Sequence, residues 1–266
     1  LLQLLLVLFF QDTVVRHKKF NTGFRIWFLC YTLFYMGWMI GAQLSVVNVV
    51  TFVNALRTDF SWEFFLLEPP TFILWSFVAV ALIFWGRGVF CGWLCPFGAL
   101  QELINRVALA LRVPQVSVPF PLNERLWALK YVVFMGLFAP SLGPEYLIDM
   151  ALEVEPFKTA ITLKFVRMWP FVLYAVVLLV ASVFVQRIFC RYLCPLGAAL
   201  AIPARNRMFE WLKRRKECGA ECHICSELCP VQAIHPEGQI NPHECIYCLD
   251  CQAVYFDDKL CPPVVK

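Results

Sequence analysis

An all-α polytopic membrane domain of about five transmembrane helices with an internal repeat, joined to a small cysteine-rich α+β domain, is the architecture this sequence predicts. Three observations predict it. Of 266 residues, 60% are hydrophobic and 16% charged, and the mean hydropathy is +0.66. Soluble domains carry about 25% charged residues, so most of the apolar surface is expected to face lipid. All the cysteines except Cys30 fall into four tight runs, at or beyond the ends of apolar segments. Finally, one segment recurs at an offset of 99 residues: Phe72, Leu74, Phe90, Cys91, Leu94, Cys95, Pro96, Gly98 and Ala99 match Phe171, Leu173, Phe189, Cys190, Leu193, Cys194, Pro195, Gly197 and Ala198.

The elements follow in order. Residues 1–10 read as the end of a transmembrane helix, because the chain opens inside an apolar run without an initiator methionine. Residues 11–216 form the polytopic membrane domain. Its second span runs from near Phe24 to about Ala42, with Val46 to Val53 continuing it or lying in the interface. Pro69 and Pro70 open the third span, Thr71 to Trp85, which with its flanks approaches the ~20 residues that cross a hydrocarbon core of roughly 30 Å. It ends at Cys91-Gly-Trp-Leu-Cys95-Pro96. A polar helix over Gln101 to Arg112, a proline-broken linker and a fourth span from about Leu126 to Pro140 come next. The fifth span, Met168 to Val185, delivers Cys190-Arg-Tyr-Leu-Cys194-Pro195. Residues 217–266 are the small domain.

The net charge of +4 does not point to nucleic acid, because the basic residues sit beside apolar segments, as cytoplasmic loops of membrane proteins carry them. Arg16, His17, Lys18, Lys19 and Arg25 place one loop inside. Arg106, Arg112, Arg125 and Lys130 place a second, and Arg187, Arg191, Arg205, Arg207 and Lys213 to Lys216 a third. Loops with Asp59, Glu63 and Glu68, and with Glu145, Asp149, Glu153 and Glu155, then fall outside. The predicted location is a bacterial inner membrane, with the start of the chain periplasmic and the small domain cytoplasmic, where thiols stay reduced.

The small domain holds Cys218, Cys222, Cys225 and Cys229 before Pro230, then Cys245, Cys248, Cys251 and Cys261 before Pro262. These runs resemble the two-cluster bacterial ferredoxin pattern, in which the fourth cysteine of each run ligates the other 4Fe-4S cluster. Carried over, one cluster takes Cys218, Cys222, Cys225 and Cys261, and the other takes Cys245, Cys248, Cys251 and Cys229. The first gap is one residue longer than the pattern and the last is Gln252 to Leu260, which lengthens loops without removing ligands. Paired four-cysteine zinc sites are the competing reading, but three close cysteines with a remote fourth before proline suit a cubane better.

The two C-x3-C-P runs admit several readings. Cysteines four apart on a helix share a face, and a buried free cysteine is commonly inert. Their duplication points further: about a pseudo-two-fold axis, Cys91, Cys95, Cys190 and Cys194 converge on an additional metal or redox centre, with Arg87, Arg187 and Arg191 offsetting thiolate charge. A structural or thiol-redox role stands against this. His17, His223, His235 and His243 all lie outside the spans, so a membrane haem with two histidine ligands cannot be built from this chain.

Three stretches carry a closer resemblance: Phe90 to Ala99, Phe189 to Gly197, and Cys229-Pro-Val-Gln-Ala-Ile-His-Pro-Glu-Gly238 leading into Cys245-Ile-Tyr-Cys-Leu-Asp-Cys251. They resemble the membrane and ferredoxin portion of the NosR/NirI family, over essentially the whole chain. The resemblance implies a membrane electron-transfer flavoprotein with FMN bound covalently to a threonine of an N-terminal periplasmic domain absent from this sequence. It also implies a role in expression and activity of nitrous oxide reductase in denitrification, with that enzyme and its accessory proteins as partners. Electrons would come from a cytoplasmic donor or the quinone pool, with no direct contact to nucleic acid. The alternatives are a quinol dehydrogenase subunit similar to NapH, and a redox-sensing or assembly scaffold.

Overall fold

A computed structural model describes residues 1–57, 69–141, 155–215, 217–219, 222–257 and 260–261. The predicted loop acids Asp59, Glu63, Glu68, Glu145, Asp149 and Glu153, and Pro262, lie outside the described residues. Helix α1 is Leu2–Phe9, α2 is Gln11–Arg16, and α3, Lys18–Tyr31, runs on into a π-helical stretch, Thr32–Met39. The backbone then leaves the helix until α4, Val46–Arg57. Helix α5, Pro69–Phe84, starts on the proline pair, which fits a first turn because its N–H groups have no helical partners there. Helices α6 (Pro96–Ala110), α7 (Phe120–Ser141), α8 (Trp169–Phe184), α9 (Ile188–Tyr192) and α10 (Pro195–Ala201) complete the larger part.

Among the described residues no helix is long and apolar enough to cross a membrane. The apolar segments are there, but each is interrupted. Helices α5 and α8 have 16 residues each, about 24 Å at 1.5 Å per residue. Left-handed residues follow both, Gly86 (φ 86°) and Arg187 (φ 53°). Helix α7 reaches 22 residues but includes Glu124, Arg125 and Lys130. The second predicted span stops at Met39, and Ala42 and Leu44 are buried in a non-helical segment. Outward faces of α5 and α8 nevertheless expose Ile73, Val80, Ile83, Leu173, Val177 and Val180.

The two repeat halves interleave, with α6 of the first packing on α8 of the second. Beneath the junction Phe97, Phe157 and Phe189 form a three-ring cluster with centroids 5.4 to 5.6 Å apart. Phe157 belongs to a segment, residues 155–165, that turns back into the core. Glu155, expected on an outside loop, is buried there and accepts hydrogen bonds from the Val46 amide, at 3.1 and 3.2 Å, and the Ser45 hydroxyl. The reason is local: the first amides of α4 lack helical partners and a carboxylate satisfies them. Several cations read as topology markers are also interior: Arg25, Lys130 and Arg187 are ion-paired there, and Arg191 is held by neutral oxygens.

The small domain is less β-rich than expected. Among its described residues, β structure is limited to isolated bridges, Cys218 to Cys222 and Ile234 to Ile240, beside α11 (Ile224–Glu227) and α12 (Asp250–Tyr255).

Candidate functional site

Cys229, Cys245, Cys248 and Cys251 line one small cavity of about 20 Å³, together with Val231, Ile234, Ile246 and Leu249. Left-handed backbone at Gln232 (φ 49°), Tyr247 (φ 56°) and Leu249 (φ 68°) curls the loops around it; such conformations in non-glycine residues gather at functional sites. The Ala233 amide donates to Cys229 Sγ at 3.3 Å and the Tyr247 amide to Cys245 Sγ at 3.4 Å. Burial pushes the Cys229 and Cys245 thiols up to about 11 and Cys251 up to about 12. As thiolates these side chains therefore need a bound cation. Among the described residues no three His, Cys, Asp or Glu side chains meet as one metal ion would require. Four cysteines on the wall of one cavity are the donor set that a thiolate-held iron-sulfur cluster takes.

Cys218, Cys222 and Cys225 form a second group, close enough that each of the first two acts on the charge of Cys225. Gly219, at φ 93°, lets this loop press against another: an added Cβ would stand 2.0 Å from the Glu237 carbonyl carbon. That contact accommodates the lengthened first gap. Cys225 Sγ lies 3.8 Å from the Cys251 carbonyl oxygen and packs with Ile234, Val254 and Cys229, so the two runs intertwine. Cys261 is buried, its amide bonded to the Asp257 carbonyl at 3.0 Å.

The C-x3-C-P cysteines do not share a helical face. In each run the first cysteine lies in a short helical turn, Phe90–Leu94 or α9, while the second is extended and caps the next helix. The proline after Cys95 and Cys194 disfavours helical backbone at the cysteine itself. Each cap sulfur accepts an amide hydrogen, Cys95 from Gly98 at 3.4 Å and Cys194 from Gly197 at 3.2 Å. Cys190 donates to Gln101 Oε1 at 3.4 Å, and Gln43 Nε2 lies 3.9 Å from Cys95 Sγ. The four thiols lie in one neighbourhood, near enough for Cys95 and Cys91 to act on Cys190 and for all three to act on Cys194, but among the described residues they do not meet as one metal ion would require.

Arginines cross between the halves. Arg187 donates to the Cys91 and Gly92 carbonyls and stands beside Gly98. Arg87 donates to the Gly197 carbonyl at 3.2 Å. Both are anchored by carboxylates that sequence reasoning missed. Glu102 binds Arg25 at 2.8 Å and Arg187 at 2.6 Å, with Arg106 at 3.0 Å. Those three guanidinium groups hold its carboxyl well below the usual range despite burial. Glu244 pairs Lys130 and Arg87. From sequence, Glu102 reads as half of an i,i+4 surface pair with Arg106; only its place in an apolar stretch, Phe97 to Leu103, hinted otherwise. Fully buried charged side chains among the described residues include Arg25, Arg87, Lys130, Arg187 and Arg191 against Glu102, Glu155 and Glu244. That leaves a cationic excess, which thiolate-bound centres would neutralise.

The cavity and the four-cysteine junction adjoin directly. Gly92 meets Ile246 so closely that a Cβ would lie 1.8 Å from the Ile246 carbonyl oxygen. Trp93 Nε1 donates to the Tyr247 carbonyl at 2.9 Å, and Cys91 packs on the cluster of Val231, Ile246 and Cys248. His243 meets the Ala201 carbonyl at 3.1 Å and His235 stacks edge-on to Phe120.

The family model described as NosR matches residues 216–266, and the one described as a 4Fe-4S binding domain matches residues 67–114 and 168–217, which are the two repeat halves. The chain is 58% identical over its whole length to the regulatory protein NosR of Pseudomonas aeruginosa PAO1, covering 37% of that protein. It is 53% identical to the protein NirI of Paracoccus denitrificans over 97% of the chain and 38% of the relative. A further regulatory protein NosR of Pseudomonas aeruginosa is 63% identical over 77 residues, 29% of this chain and 77% of that relative. No solved structure matches. The chain thus spans little more than a third of the two full-length relatives, and it belongs to the NosR/NirI family.

Proposed function

We propose that this chain is the membrane-embedded electron conductor of a longer iron-sulfur flavoprotein in a bacterial inner membrane. In this reading it carries electrons between a cytoplasmic donor or the quinone pool and an FMN on a preceding periplasmic portion. The purpose is to support expression and activity of nitrous oxide reductase during denitrification, alongside that enzyme's accessory proteins. Cys229, Cys245, Cys248 and Cys251 hold one 4Fe-4S cluster, and Cys218, Cys222, Cys225 and Cys261 hold the other. Such clusters accept and release single electrons when bound. Cys91, Cys95, Cys190 and Cys194 hold a further centre, a reading supported by their shared neighbourhood and by the cationic excess around them.

The observation that carries the reading is the direct abutment of the Cys245–Cys248 loop on the Cys91 run through Gly92 and Trp93. A roughly 30 Å apolar core needs an intermediate carrier, and this contact puts one four-cysteine site next to another. Membrane embedding is supported by the exposed apolar faces of α5 and α8, which water would disfavour.

Iron and acid-labile sulfide measured on anaerobically purified protein test it. About eight iron atoms per chain are expected from two cubanes, with more from a third centre. Cys91→Ser and Cys190→Ser should lose that surplus alone. Zinc in place of iron, with no paramagnetic signal after dithionite, would overturn the reading.

A further inference from the structure

Buried cations near the cavity are not equivalent. Arg25 and Arg187 pair with Glu102, and Arg87 and Lys130 with Glu244. Arg191, 5% exposed, pairs with no carboxylate among the described residues. Its guanidinium instead takes neutral oxygens: Asn123 Oδ1 accepts from Nε at 3.2 Å and from Nη2 at 2.6 Å, and Gln232 Oε1 accepts from Nη2. Asn123 is itself held, accepting from the Tyr192 hydroxyl at 2.8 Å. The Gln232 side-chain amide donates to the Val118 carbonyl at 3.1 Å.

Gln232 is the left-handed residue of the loop over the cavity. Its amide bonds the Cys229 carbonyl at 3.0 Å, and the next amide, Ala233, is the donor to Cys229 Sγ. Arg191 and Cys229 are close enough for each to feel the other's charge. A side chain of the second C-x3-C-P run therefore does two things to one cavity ligand. It holds the loop that aims an amide at sulfur, and it brings a positive charge that no carboxylate bonds directly, Glu244 acting on it only through space.

We infer that Arg191 is a positioning residue that raises the reduction potential of the cluster held by Cys229, Cys245, Cys248 and Cys251. This rests on the function proposed above. The sign follows from electrostatics: reduction adds a negative charge to an already anionic thiolate-bound centre, and a fixed cation at short range in a low-dielectric interior favours the more negative state. Net charge and hydrogen bonds to the sulfurs are the terms that set such potentials.

Redox titration of the full-length protein, followed by low-temperature paramagnetic resonance, tests it, with the cluster identified by the signal lost in Cys248→Ser. In Arg191→Gln that cluster should become harder to reduce by about tenfold in its equilibrium, about 59 mV for one electron. The other cluster and the iron content should stay as in the wild type. Arg191→Lys, which keeps charge but not the fork, should recover most of the shift. Two clusters that titrate in Arg191→Gln as in the wild type would overturn the inference and leave the proposed function standing. A lysine variant shifted as far as the glutamine variant would also overturn the charge argument. If glutamine costs iron, the lysine variant decides the matter: an iron-replete lysine variant at the wild-type potential supports the inference. A wild type without clusters would end both.

Discussion

Both proposed sites with four cysteines at their centre bury their thiols, yet they are built differently. Around the cavity, Cys229, Cys245, Cys248 and Cys251 sit on loops whose left-handed residues turn amides toward sulfur. At the repeat junction, Cys95 and Cys194 cap rigid helices and the charge is supplied by arginines traded between halves. The difference teaches what each needs to stay assembled. Loop cysteines depend on what they enclose, whereas the junction is held by ion pairs whether or not a centre is bound.

The sharpest way to break that comparison is to remove the carboxylate at the middle of the junction. Glu102→Gln leaves the buried Arg25 and Arg187 without their partner, and losing one member of a buried pair costs about 3–5 kcal/mol. Thermal unfolding in detergent should fall accordingly, and a small change would mean that the junction does not rely on its ion pairs.

Next comes a pH effect at Glu155, whose carboxyl is pushed up to about 7 by burial, against the bonds from Ser45 and Val46. Its folded value lies above the unfolded one, so the fold binds more protons across this interval. Stability is therefore greatest below the ordinary carboxylate value and declines as pH rises toward about 7, by about 3 kcal/mol in all. Glu155→Gln should flatten that slope in unfolding measured from pH 4.5 to 7; an unchanged slope would assign it to other groups.

The last test probes the seam between the two sites. Gly92→Ala sets a Cβ 1.8 Å from the Ile246 carbonyl oxygen, so the Ile246 backbone must move. Electron transfer between the cavity cluster and the junction, followed by rapid-mixing spectroscopy, should slow while iron content holds. Unchanged transfer would show that this contact is not the route.

Much of this was legible in the chain. Cysteine spacing announced two intertwined runs, the 99-residue offset announced paired halves, and proline after Cys95 and Cys194 carried enough information to place those residues outside a helix. The membrane spans were read too simply, because hydropathy registers apolar content but not the break after Met39 or the left-handed residues after α5 and α8. Glu155 and Lys130 were misplaced for a related reason: a charge beside an apolar segment looks the same whether it meets water or a buried partner.

Local covalent rules were therefore the sequence's own contribution: proline sets the backbone of the residue before it, and glycine permits close approach. Tertiary structure alone decided that Glu102 would gather Arg25 and Arg187, that Glu244 would bind Lys130 and Arg87, and that Arg191 would reach Gln232. Those partners lie 41 to 157 residues apart. No short-range rule selects among the chain's many cations and carboxylates; only packing, by removing water from particular pairs, makes one choice far cheaper than the rest.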